Sequence, residues 1–234
     1  MPDQLELEDR IGIVMLGRPY HHDPGLNHEI LDEFQKLGYP IFSQSTLPLD
    51  EDLLDRLFGD EVRAGVIEHP LDIADVWKTR YSASTNHKIW AAKFTARHPN
   101  LVAMEISNFK CGHDAPIYGV IEGIIEKSHT PYFSFKDLDE NKPTGSVKIR
   151  VETIDYFLRR YREDIIKRVN AERQVEERIA EYERELRLSL SGFSPVAEAK
   201  HELIQIAVWF LRKLWSHPPG SNRRPADYET NPGP

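Results

Sequence analysis

The six residues Ile11 to Leu16, closed by Gly17, constrain the fold more than any other stretch of this chain. All but one of the six are large and apolar, with no polar residue at alternate positions. A strand of this kind has to be buried on both faces, as in a parallel sheet covered by helices on either side. The residues after Gly17 agree with a covered strand. Asp23 and Pro24 suit an N-cap and a first helical residue, and Leu26, Ile30, Phe34 and Leu37 share one helical face before Gly38. Tyr39 to Ser43, Leu101 to Ser107 and Pro131 to Phe135 read as three more strands, with helices expected over 86–97 and 115–127 in the crossovers. In the second of these helices Ile117, Val120, Ile121, Ile124 and Ile125 form an apolar stripe, with Asp114 placed to cap it. Between Pro48 and Arg80 the pattern is weaker. A peripheral insertion is expected there, with a short helix near 52–58 and an edge strand at 65–68.

From Ser146 the chain becomes one long helical pattern, dense in Glu and Arg, with no Gly or Pro until Gly192. It reads as a protruding helix whose seam of Val175, Ile179, Tyr182, Leu186 and Leu190 suits one partner helix. Ser194 and Pro195 look like a fresh helix start, followed by Leu203, Ile206, Phe210 and Leu214, which together make a helical hairpin. The last stretch, 217–234, is rich in Pro, Asn, Arg and Gly and has no periodicity, so a disordered tail is expected. Its composition resembles translated non-coding DNA, which raises the expectation of a truncated or frameshifted product. The fold class expected is therefore α/β, a three-layer sandwich with a small parallel sheet of the flavodoxin or Rossmann kind. The α/β domain occupies 1–157, a helical extension 158–216 and the tail 217–234.

A formal net charge of -8 with interspersed acids and bases leaves no basic footprint, which argues against a nucleic-acid partner. There is no apolar run of membrane-spanning length, and the start of the chain is acidic where a signal peptide would be basic, so no membrane is expected. The single cysteine, Cys111, excludes an intrachain disulfide framework and fits a reducing, cytoplasmic setting.

Ligands of open parallel sheets gather at the carboxyl ends of strands, and the two most unusual loops of this chain lie there. After the first strand, Gly17 to Asp23 offers Arg18, Tyr20, His21 and His22 beside a helix start, suited to an anion or to the surroundings of a cluster. The bland alternative is that Tyr20 packs and Arg18 pairs with a carboxylate. His21, His22, Asp23 and His28 lack a firm metal-ligand pattern and read as surface residues. After the third strand, Cys111 precedes a helix start, where the dipole favours the thiolate that binds iron or attacks electrophiles, and Gly112 permits close backbone approach. Its alternatives are a buried cysteine acting as a small hydrophobe and a lone nucleophile. A Cys111 and His113 couple is disfavoured, because residues two apart in a turn seldom face each other. Asp139, Glu140 and Asn141 follow the fourth strand onto the same rim.

Taken in order, these segments resemble the 2-hydroxyacyl-CoA dehydratase and CoA-substrate enzyme activase superfamily, including the dehydratase D-component-like and double-cubane-type proteins. The resemblance is carried by Ile13 to His21 with Asp23-Pro24 and Asn27-His28, by Leu37-Gly38 with Tyr39 to Ser43, and by His98-Pro99-Asn100-Leu101 leading to Asn108 to Ala115. Asp139-Glu140-Asn141 and the helix from Ser146 extend it, over roughly 10–157 in all. It implies that Cys111 is an iron ligand and that Arg18, Tyr20, His21 and Gly112 bind or surround an iron-sulfur cluster of 4Fe-4S or double-cubane type. It also implies that the cluster is shared with a missing upstream cysteine-bearing domain or subunit and receives a low-potential electron from an ATP-dependent activator. Lys110 and His113 depart from the Gly and Pro common beside the family's cysteine, and the upstream cysteines are absent from this chain. No activity is expected of the chain alone. The competing expectation is a truncated, non-catalytic interaction module whose hairpin binds a partner or forms a helix-mediated oligomer.

Overall fold

The computed structural model describes residues 2–79, 82–107, 111–136 and 144–191. Four strands form one parallel sheet: β1 (Gly12–Leu16), β2 (Ile41–Ser43), β3 (Leu101–Ile106) and β4 (Tyr132–Phe135), in the order β2-β1-β3-β4. Register is set by Val14 opposite Phe42 on one side and Ala103 on the other, and by Met104 opposite Phe133. Every residue of β1 and β3 is buried. Alternation explains the unbroken apolar run. Val14, Leu16, Leu101 and Ala103 enter one core, while Ile13, Met15, Val102, Met104 and Ile106 enter the other.

The helices are α1 (Pro2–Leu7), α2 (Pro24–Asn27), α3 (Ile30–Lys36), α4 (Glu51–Arg63), α5 (Ala83–Arg97), α6 (Tyr118–Ser128) and α7 (Thr144–Ser191). Leu5 of α1, Phe58 of α4, Ile89 and Phe94 of α5 and Ile121 and Ile125 of α6 cover the first face of the sheet. Ile30 and Phe34 of α3 and Val147, Val151, Leu158 and Ile165 of α7 cover the second. The α/β sandwich read from the sequence is thus the architecture found. One compact unit runs from Met1 to Ile166, and the chain from Lys167 forms a second. Expectations for the hairpin, the tail and the Asp139 to Asn141 loop fall outside the described residues.

Three local expectations need correction. The helix expected from Pro24 to Leu37 is two helices. Asp23 does cap the first, accepting from the Gly25 N–H at 2.8 Å, but His28 and Glu29 are left-handed, with φ of 53° and 60°. Asn27 is buried and its amide donates to the His21 carbonyl at 2.9 Å, which binds this turn to the preceding loop and carries Leu26 out to solvent. No strand forms at 65–68. Gly65, at φ 70°, instead ends α4 in a complete left-handed stop, with Gly65 N–H on the Val62 carbonyl and Val66 N–H on the Glu61 carbonyl. Finally, a 3-10 turn (Ala115–Ile117) precedes α6, and the Asp114 side chain makes no cap.

Candidate functional site at the carboxyl edge

The chain leaves β1 for β2 on one side and returns to β3 on the other. The topological switch point therefore lies between β1 and β3, where open parallel sheets form a crevice. The loops that carry Arg18 and Cys111 both open there, and they are joined by charge. Arg18 Nη2 lies 2.7 Å from Asp114 Oδ1 and donates to Thr85 Oγ1 of α5 at 3.2 Å. Asp114 also accepts from Ser107 Oγ at 2.8 Å and has Lys88 Nζ at 3.4 Å. Cationic partners outcompete a neutral amide for a buried carboxylate, which is why Asp114 faces this cluster and leaves the helix start uncapped. Burial alone would raise the Asp114 carboxyl, but Lys88, Ser107 and Arg18 outweigh it and hold it below the ordinary range.

Behind Asp114 lies a second ion pair. Lys88 Nζ is 2.6 Å from Glu105 Oε1, and both side chains are fully buried. Glu105 follows Leu101 and Ala103 on the α5 and α6 face of β3, and Tyr132 donates to its other oxygen, with Lys136 Nζ at 3.5 Å. Burial first, then the Glu105 charge, pushes the Tyr132 phenol far up. Two buried cations facing two buried carboxylates keep this part of the interior near neutral and fix the geometry of both loops. Sequence reasoning missed Lys88 and Glu105. The signal was present, since Glu105 is the one charged residue in an otherwise apolar strand.

His21 is not a surface residue but is 4% exposed. Its Nδ1 accepts the Arg18 N–H at 3.0 Å, which assigns the remaining proton of the neutral ring to Nε2. Burial, followed by the Lys88 charge, lowers its pKa to about 4. His22, by contrast, is exposed and bonds Ser43 Oγ at 3.0 Å. Adjacent histidines do diverge here.

Tyr20 is half-exposed and stacks edge-on against the His21 ring. Its phenol lies close to the Cys111 thiol, and burial, then Cys111 and Asp114, raise the phenol's pKa. Cys111 is partly exposed and precedes the 3-10 turn, its carbonyl accepting the N–H groups of Asp114 and Ala115 at 3.1 Å. The helical stripe of Ile117, Ile121 and Ile125 is buried and α6 begins only at Tyr118, so the thiol stands before this turn, beside Tyr20. Gly112 faces open space, with no atom within 4 Å of where a Cβ would sit. Among the described residues no group of three or more His, Cys, Asp and Glu could hold a metal ion, and no helix is long and apolar enough to cross a membrane.

A three-layer α/β sandwich with its crevice between β1 and β3 defines the class to which this site belongs. Residues 1–47, which span β1, the Arg18 to Asp23 loop, α2, α3 and β2, match the family described as the CoA enzyme activase uncharacterised domain. That match supports the activase side of the resemblance and does not reach Cys111. No curated protein and no solved structure gives a match.

Proposed function

We propose that this chain is a domain of a CoA enzyme activase-like or 2-hydroxyacyl-CoA dehydratase-like assembly in the cytoplasm, in which Cys111 supplies one thiolate to an iron-sulfur cluster. The observation that carries this reading is the position of Cys111. It is partly exposed at the switch point, close to Tyr20, on a loop pinned by the Arg18 and Asp114 pair.

In this reading the site is a shared one. One thiol cannot hold a cubane, which needs about four ligands, so the remaining cysteines come from another domain or subunit. The chain's own residues perform supporting roles. Arg18 fixes the Cys111 loop through Asp114, and Tyr20 offers a phenol O–H to the sulfur. His21 stays neutral and locks the backbone of Arg18, while the open face at Gly112 leaves room for approach. When bound, the cluster would supply one-electron chemistry at low potential, fed by an ATP-dependent activator.

Anaerobic reconstitution with iron and sulfide tests this, using the chain and Cys111→Ser, each alone and with a cysteine-bearing fragment encoded upstream. Thiolate-to-iron absorption and an EPR signal that need both Cys111 and the second fragment are expected. Full loading of the chain alone would overturn the shared site. No iron under any condition would leave a non-catalytic binding module.

A further inference from the structure

At the opposite, amino edge of the sheet, the residues that lead into β1 and β2 meet α7 around a cleft of about 270 Å³. The polar side chains that line it are Arg10, Tyr39, Asp155, Arg159 and Arg162. Arg159 and Arg162 are three apart on α7 and share one face of it. Arg10 faces them from the entry to β1. Three guanidiniums thus border one small space, and all three side chains are accessible to solvent, Arg10 at 46% and Arg159 at 68%.

The arginines are held in place but not used up. Arg10 Nη2 donates to the Gly38 carbonyl at 3.0 Å, Arg159 Nε to the Asp155 oxygens at 2.9 and 3.1 Å, and Arg162 Nε to the Asp9 carbonyl. Arg159 and Arg162 are tethered through Nε alone, so their Nη groups have no partner among the described residues and keep the two-pronged edge that takes oxygen pairs. The one carboxylate of the lining is already engaged, because Asp155 also accepts the Tyr39 hydroxyl at 2.8 Å. Glu8 pairs with Arg10 at 3.0 Å, but both are about half exposed, and such a pair holds weakly. Asp9 is exposed as well, and no carboxylate among the described residues pairs with Arg162. Like charges gathered this closely repel one another, which an anion between them would relieve.

We infer that this cleft binds a phosphate dianion, either the free ion or the terminal group of a small ester. Guanidiniums approaching from two elements suit a tetrahedral group with three terminal oxygens better than a planar carboxylate, which presents one pair. Beside the phosphate, Tyr39 and the 39% exposed Leu37 leave a wall for an organic body. The inference is independent of the reading of Cys111, since the cleft lies at the other edge of the sheet and shares no residue with the switch-point loops.

The test uses the full chain labelled with nitrogen-15, above the second phosphate pKa of about 6, titrated with inorganic phosphate, phenyl phosphate and the singly charged diester methyl phenyl phosphate. The dianions should give saturable shifts centred on the amides of Arg10, Gly38 and Tyr39 and the Nε signals of Arg159 and Arg162. The diester, one charge short, should bind about tenfold more weakly. Arg162→Gln should weaken phenyl phosphate about tenfold, and Arg159→Gln serves as the second variant should the first lose its native spectrum. Arg160→Gln, on the same helix but outside the lining, should leave binding unchanged. Phenyl phosphate binding more tightly than the free ion would support the site and assign it an ester, and equal binding would support it and assign the free ion. A diester that binds as well as the dianions, an Arg160→Gln loss equal to that of Arg162→Gln, folded variants that bind unchanged, or the lack of any saturable shift would each overturn the assignment. Iron is not involved, so failure here leaves the cluster reading untouched, and the converse also holds.

Discussion

Arg18 Nη2 stands 2.7 Å from Asp114 Oδ1, and this one ion pair fastens the loop after β1 to the loop after β3. Because the Asp114 N–H donates to the Cys111 carbonyl, the pair also sets where the thiol loop begins. Arg18→Met should cost about 3 kcal/mol in urea unfolding, the low end for breaking a buried pair, since Lys88 remains beside Asp114. The same variant should alkylate faster at Cys111. A change within about 0.5 kcal/mol, as for an ordinary surface site, would mean that the loops hold each other by other means.

Lys88 and Glu105 form a fully buried pair. Removing one charge strands the other, so Lys88→Met should destabilise by about 3–5 kcal/mol. Lys88→Met with Glu105→Gln should cost less than Lys88→Met alone, because the second change removes the stranded carboxylate and keeps a partner for Tyr132. Strict additivity of the two single variants in a double-mutant cycle would contradict a coupled pair.

Acid sensitivity should trace to His21. Its folded pKa of about 4 lies below its ordinary 6.5, so between those values the unfolded chain binds a proton that the folded chain refuses. Stability therefore falls as the pH drops through this window, by about 3 kcal/mol. Asp114 acts lower. Its carboxyl is held below 3.8, and its contribution, present above that value, is lost as the pH falls through the folded pKa. His21→Asn retains an acceptor for the Arg18 N–H and should flatten the slope between pH 6.5 and 4 in urea midpoints, where an unchanged slope would assign it to other groups.

The two glycines of the site should answer oppositely to alanine. A Cβ on Gly17 would lie 3.0 Å from His21 Nδ1, pressing on the atom that holds the Arg18 N–H, so Gly17→Ala should cost about 1–2 kcal/mol. Gly112 meets nothing within 4 Å, and Gly112→Ala should stay within about 0.5 kcal/mol of the parent. Thermal unfolding of both distinguishes a packed glycine from an open one.

The sheet is legible in the sequence because β1 and β3 are buried on both faces, and such strands announce themselves as continuous apolar runs. The break at His28 and Glu29 is not, since it depends on Asn27 reaching the His21 carbonyl, a contact that no helical periodicity encodes. Gly65 misleads for a similar reason. A short β-branched stretch after a glycine looks like a strand, whereas here the glycine is spent on stopping α4. At the site, Arg18, Tyr20, His21 and Cys111 stand out by their unusual loops, and the structure brings them to one rim. Lys88 sits on a helix whose polar residues look solvated, and Glu105 on a strand whose apolar neighbours dominate the pattern. Their partnership spans 17 positions of sequence and becomes visible only when α5 lies on β3.

The central claim, that Cys111 ligates iron in a shared site, is tested most directly by protection from alkylation. As the chain's only cysteine, Cys111 gives an unambiguous mass signal. Iodoacetamide should modify it readily in the iron-free chain, fail to modify it after anaerobic loading with the cysteine-bearing upstream fragment, and modify it again after chelation. Equal modification of Cys111 in a fully loaded complex would show that the iron is held without it, and the account would be wrong.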